Sequence, residues 1–81
     1  MIERARKLLF KLYKAKVLEL LEFTHTGVCM RAVFLDPTTV KFYVVRYDSR
    51  GMKYDVDVLE AAQETKSYSI LEVRELLNGQ D

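Results

Sequence analysis

Apolar positions in the first part of the chain recur at helical spacing. At about 100° per residue, Ile2, Ala5, Leu9, Leu12, Tyr13, Leu20 and Phe23 gather on one side. Arg4, Lys7, Lys11 and Lys14 gather on the other, and Leu8, Phe10, Val17 and Leu21 widen the apolar side. The spacing predicts one amphipathic helix over residues 1–23, about six turns long, with Gly27 just beyond its end.

The period then changes from helical to alternating. Residues 28–35, 40–47 and 52–58 read as three strands. Asp36-Pro37-Thr38-Thr39 has the residue order of a type I turn, and Gly51 after Asp48-Ser49-Arg50 is suited to a left-handed hairpin position. Two hairpins in series make an antiparallel meander. Sorting its residues by alternation gives two faces. One carries Val28, Met30, Ala32, Phe34, Val40, Phe42, Val44, Met52, Tyr54, Val56 and Val58, and is expected to meet the helix. The other carries Cys29, Arg31, Val33, Leu35, Lys41, Tyr43, Val45, Tyr47, Lys53, Asp55 and Asp57, less polar than a solvated face normally is, and its patch Val33, Leu35, Tyr43, Val45 and Tyr47 is expected to need a cover.

Two capping-box patterns mark the last third. Asp57-x-x-Glu60 predicts a short helix over 58–65, and Ser69-x-x-Glu72 a second over 70–77, ended by Asn78-Gly79. An alternative carries the alternation on through Glu60 and Ala62 and makes 68–73 a strand, giving a helix plus a small SH3-like barrel. The preferred reading of residues 1–81 is a single α+β domain: a long N-terminal helix on a three-stranded antiparallel meander, followed by one or two short C-terminal helices.

Composition agrees with a globular domain, at 49% hydrophobic and 31% charged residues. Charge is unevenly spread along the chain. Residues 1–16 carry a net +5 and residues 55–81 a net −5. If one helix spans 1–23, its cations come early and Glu19 and Glu22 late. That order opposes the helix dipole at both ends, by roughly 0.3–1 kcal/mol per exposed charge. A partner, or acidic neighbours from the C-terminal third, would account for such a pattern.

Candidate chemistry is sparse. The single cysteine, Cys29, excludes an internal disulfide and fits a reducing, cytoplasmic setting. His25 and Cys29 together fall short of the three or four protein ligands of a zinc site. Asp48, Asp55 and Asp57 offer oxygen ligands, but outward carboxylates also keep a strand soluble and discourage edge pairing. The sequence holds no G-x-x-x-x-G-K-[ST], G-x-G-x-x-G or H-E-x-x-H motif. No cofactor or metal is therefore expected, no apolar run reaches the ~20 residues of a bilayer span, and an enzyme is disfavoured.

What remains are two surfaces. The first is the apolar patch Val33, Leu35, Tyr43, Val45 and Tyr47 with Arg31 and Lys41 at its rim, the makings of a protein interface. The second is the basic helix face Arg4, Lys7, Lys11 and Lys14, suited to nucleic-acid phosphates. The expectation is a non-enzymatic interaction or regulatory module, homo-oligomeric and of a size common in viral or plasmid genes. The alternative is an RNA- or DNA-binding protein.

Overall fold

The N-terminal helix stops after one dozen residues. In the computed structural model, which describes residues 2–59 and 64–79, α1 runs Ile2–Tyr13. Lys14 then takes a left-handed backbone (φ 59°), and its amide donates to the Phe10 carbonyl at 2.8 Å. This is the usual left-handed helix stop, made here without glycine. The chain next anchors Ala15 and Leu18 in the core, and Arg6 of α1 donates from Nη1 to the Leu18 carbonyl at 2.7 Å. The predicted helix over 1–23 is thus corrected: its second half is a strand, β1, Glu19–His25.

A bulge explains how a strand imitates a helix here. β1 pairs antiparallel with β2 (Cys29–Asp36), Leu20 opposite Phe34 and Phe23 opposite Ala32, with an irregularity between Leu20 and Glu22. One extra residue turns the strand spacing of two into a spacing of three. Leu20 and Phe23 therefore share a face in either conformation. The opposition to the helix dipole at the C-terminal end also disappears, because Glu19 and Glu22 are not helical, while Arg4 still sits in the first turn. Glu3 lies in the first turn of α1 and Lys11 in the last, both favourable to the dipole.

β3 (Lys41–Asp48) and β4 (Lys53–Leu59) complete the predicted meander within one or two residues. A further strand, β5 (Glu64–Ser69), pairs with β4, so the sheet has five antiparallel strands in the order β1-β2-β3-β4-β5. The helix predicted over 58–65 is corrected at both ends, since 58–59 belong to β4 and 64–65 to β5; residues 60–63 lie outside the described residues. Asp57 caps no helix: its carboxylate accepts from Thr65 on β5 at 2.6 Å. The second capping box is present as read. In α2 (Ile70–Asn78), Ser69 Oγ accepts from the Glu72 amide at 3.1 Å, and Glu72 Oε1 accepts from the Ser69 amide at 3.0 Å.

Both hairpin loops are built alike. Asp36 and Asp48 each take a main-chain amide two residues on, Thr38 and Arg50, at 2.9 Å onto Oδ1. Each Asp carbonyl then accepts from the residue four on, Val40 at 2.8 Å and Met52 at 2.9 Å. Val40 (φ 55°) and Met52 (φ 51°) take the left-handed position, while no described glycine does, so Gly51 has no such role. Four loop residues separate Asp36 from its partner Lys41, and Asp48 from Lys53. With an even loop, even-numbered residues of one strand oppose odd-numbered residues of the next.

That parity decides the core. Phe34, Tyr43 and Val58 form one cross-strand row, Ala32, Val45 and Val56 a second, Met30, Tyr47 and Tyr54 a third. All of these meet Ala5, Leu8 and Leu9 of α1 and Ile70 and Val73 of α2 in one cluster. Tyr13 rests on Tyr43 with ring centroids 5.3 Å apart, and the Arg6 guanidinium lies 5.2 Å from the Phe34 ring centre. The fold is a two-layer α+β sandwich with both helices on one face of the sheet. No helix among the described residues is long and apolar enough to cross a membrane.

Candidate interface on the open sheet face

Residues of opposite parity point away from the helices. Across the strands they stand in rows: Leu35, Phe42 and Leu59; then Val33, Val44 and Asp57; then Arg31, Arg46 and Asp55; and finally Cys29, Asp48 and Lys53. The face therefore has an apolar end and a polar end. Val44, near its centre, is only 6% exposed, whereas Phe42 is 37% exposed. Val33, Leu35 and Leu59 are half-buried.

The polar end is cross-linked within the sheet. Arg31 pairs with Glu22 of β1, and Arg46 Nη2 lies 3.0 Å from Asp57 Oδ2. Asp55 accepts from the Ser67 hydroxyl at 2.5 Å. In the turn beyond, Arg50 bonds both oxygens of Asp48 at 3.2 Å. This side-chain hydrogen bond, with that from the Arg50 amide, holds the Asp48 carboxyl below its usual range, and the same partner raises Arg50. Both groups are solvent-facing, so the pair orders the turn more than it stabilises the fold. A hollow of about 320 Å³ lies at this end, edged by Cys29, Arg31, Arg46, Asp48 and Asp55.

The expected patch Arg31, Val33, Leu35, Lys41, Tyr43, Val45 and Tyr47 is divided between the two faces. Arg31, Val33 and Leu35 lie on the open face. Tyr43 (3% exposed) and Val45 (0%) are core residues beneath the helices, and Tyr47 stacks on Tyr54 in the same layer with ring centroids 4.6 Å apart. Lys41, opposite Asp36, stands at the end of that inner face. The cause is the even loop, which shifts β3 by one in parity relative to a strict odd–even count. Phe42, Val44 and Leu59 take the places assigned to Tyr43 and Val45. Loop length alone, counted from Asp36 to Lys41, carries the signal that would have found them.

Other candidate groups are separated. His25 lies opposite Met30 on the helix-facing side and Cys29 opposite Asp48 on the open side, so they do not converge on one ligand site. Among the described residues no three His, Cys, Asp or Glu side chains cluster to hold a metal ion. Arg4, Lys7 and Lys14 are exposed along α1, and Lys11 is half-buried. No known protein family matches the chain, and neither a curated protein nor a solved structure matches it.

Proposed function

We propose that the protein is a non-enzymatic interaction module that binds a second copy of itself through the apolar end of the open sheet face. The observation that carries this reading is the row Leu35, Phe42 and Leu59, backed by Val33 and Val44, on a face that no described element covers. Two such faces pack about 10 Å apart in a sandwich, with side chains interdigitating. Full burial of an exposed ring is worth roughly 1.5–3 kcal/mol, and Phe42, 37% exposed, has about a third of that still to gain.

A second copy suits this face better than a charged partner does. Arg31, Arg46, Asp55 and Asp57 already bond within their own sheet, so the face asks for no complementary charge. An apolar strip is complementary to itself, as a two-fold interface requires. A small domain also gains proportionately more from association, because its own core buries only about 60% of the extended-chain surface. Arg31 and Arg46 then form the wet rim.

Sedimentation equilibrium tests the reading. The wild-type chain is expected to be a dimer at micromolar concentration, and Phe42→Asp a monomer with an unchanged circular-dichroism spectrum. A wild-type chain that stays monomeric at high micromolar concentration overturns it.

A further inference from the structure

The layer opposite the open face presents a second surface of different chemistry. With Ala5, Leu8 and Leu9 of α1 fully buried, Arg4, Lys7, Lys11 and Lys14 fall along its outer side at intervals of three and four residues. A rise of about 1.5 Å per residue sets successive members about 5–6 Å apart. The left-handed stop at Lys14 then folds the linker back beside the helix and adds exposed Lys16 to the row. Lys16 is shared by two hollows. One, of about 330 Å³, is lined by Arg6, Lys7, Phe10 and Leu18; the other, of about 390 Å³, by Tyr13, Lys14, Thr38 and Lys41.

Exposed Glu19 follows the linker; the one described acid on α1 and the one lining these hollows do not oppose the surface strongly. Glu3 is at the far end of α1, and Asp36 is a buried carboxylate turned onto the amides of Thr38 and Thr39 in its own loop. Arg6 is committed to the Leu18 carbonyl and the Phe34 ring, so it positions the linker and leaves Lys7, Lys14 and Lys16 to meet a ligand. Among these cations sits an aromatic ring. Phe10 is 36% exposed, and Lys14 Nζ lies 5.9 Å from its centre.

We infer that α1 and the linker after it bind single-stranded nucleic acid, with Lys7, Lys14 and Lys16 on successive phosphates and Phe10 as a platform for an unpaired base. Cations alone would suit any polyanion; the ring set among them selects a ligand that offers both phosphates and stackable faces. A membrane surface is disfavoured because the apolar stripe of α1 is spent in the core, leaving only Phe10 on its outer side and Val17 on the linker, too little apolar area for an interfacial helix. This function goes beyond self-association and occupies the other layer of the molecule.

Fluorescence anisotropy with end-labelled single-stranded RNA and DNA oligonucleotides of mixed sequence tests the inference. Binding is expected to weaken linearly in log–log form with salt, and the Lys7/Lys14/Lys16→Ala variant to lose about 2 from the slope, near 0.7 per phosphate contact. Phe10→Ala is expected to weaken binding on the order of tenfold with the slope unchanged, as loss of one stacked base requires. Circular dichroism confirms that each variant is folded. Absence of binding at low salt overturns the inference. So does a duplex of the same sequence bound as tightly as the single strand, or anionic phosphatidylserine vesicles that retain the protein equally well. A Phe10→Ala variant with wild-type affinity overturns the stacking role.

Discussion

Arg46 stands directly opposite Asp55 across the β3–β4 pair, yet its guanidinium reaches diagonally to Asp57, at 3.0 Å. The diagonal leaves Asp55 to the Ser67 hydroxyl, while Asp57 also takes Thr65, so one cation and two acids tie β3, β4 and β5 together. Asp57 is the shielded member, with a side chain 13% exposed against 43% for Arg46. Removing Asp57 frees two exposed donors, Arg46 and Thr65, that water can satisfy, whereas removing Arg46 leaves the shielded acid with the Thr65 hydroxyl alone. Arg46→Ala is therefore expected to cost about 1–2 kcal/mol in urea unfolding, and Asp57→Ala under about 1 kcal/mol. Equal losses would show that the two side chains act only as a pair.

Substitutions on the two faces of β3 are expected to separate folding from association. Val45→Asp places an unpaired carboxylate among Ala32, Val56 and the helices, where a buried charge without a partner costs several kcal/mol. That is comparable to the whole stability of a small domain, and thermal or urea melts should show a lost or sharply lowered transition. Phe42→Asp points to the open face, where the ring is already 37% exposed, and should keep the transition. A Val45→Asp protein with the wild-type transition would contradict the register.

The three central strands were legible because alternation and turn chemistry are both local: each Asp that opens a loop bonds its own turn amides. The α2 cap was legible for the same reason, since Ser69 and Glu72 satisfy each other across three residues. The end of α1 was not, because Lys14 makes a left-handed stop that sequence rules assign to glycine, and because the bulge lets Leu20 and Phe23 keep a helical spacing inside a strand. The open face was half legible. Val33 and Leu35 followed from β2 alone, but Phe42, Val44 and Leu59 depend on counting across an even loop, a relation between strands that no single window contains. Hydroxyls and carboxylates of β4 and β5 pair at a distance of 8 to 12 residues, which a capping-box pattern at Asp57 and Glu60 conceals.

Left-handed backbone at a β-branched residue is a cost the fold carries. Val40, 70% exposed at φ 55°, makes few contacts to offset it. Val40→Gly is expected to raise stability by about 1 kcal/mol, the left-handed penalty of roughly 1–2 kcal/mol less the added freedom of the unfolded chain. The urea midpoint reads it out. A drop would mean that the Val40 side chain contributes to packing that its exposure does not suggest.

Acid is expected to loosen the β3–β4 loop in a defined direction. Because the Arg50 side chain and amide lower the folded carboxyl of Asp48, the stability it contributes is fully present above the ordinary aspartate value. It is lost as pH falls through the lower, folded value. NMR titration of the Asp48 carboxyl should give a midpoint below that of an ordinary aspartate, and Arg50→Ala should move it upward. An unchanged midpoint in Arg50→Ala would show that the guanidinium is not the cause.

The extra residue near Leu21 also governs what happens at the rim of the sheet. β1 is an edge strand, with one row of amides and carbonyls unclaimed by β2. A regular strand laid along that row would find its hydrogen bonds in step up to Leu20 and out of step from Glu22 onward. Side-by-side pairing along this edge is interrupted at that point; β5 forms the sheet's other edge, and its pairing with β4 shows no such shift. In the dimer proposed above, copies meet flat side to flat side instead, an arrangement that closes after two and offers no end on which a fibre can lengthen.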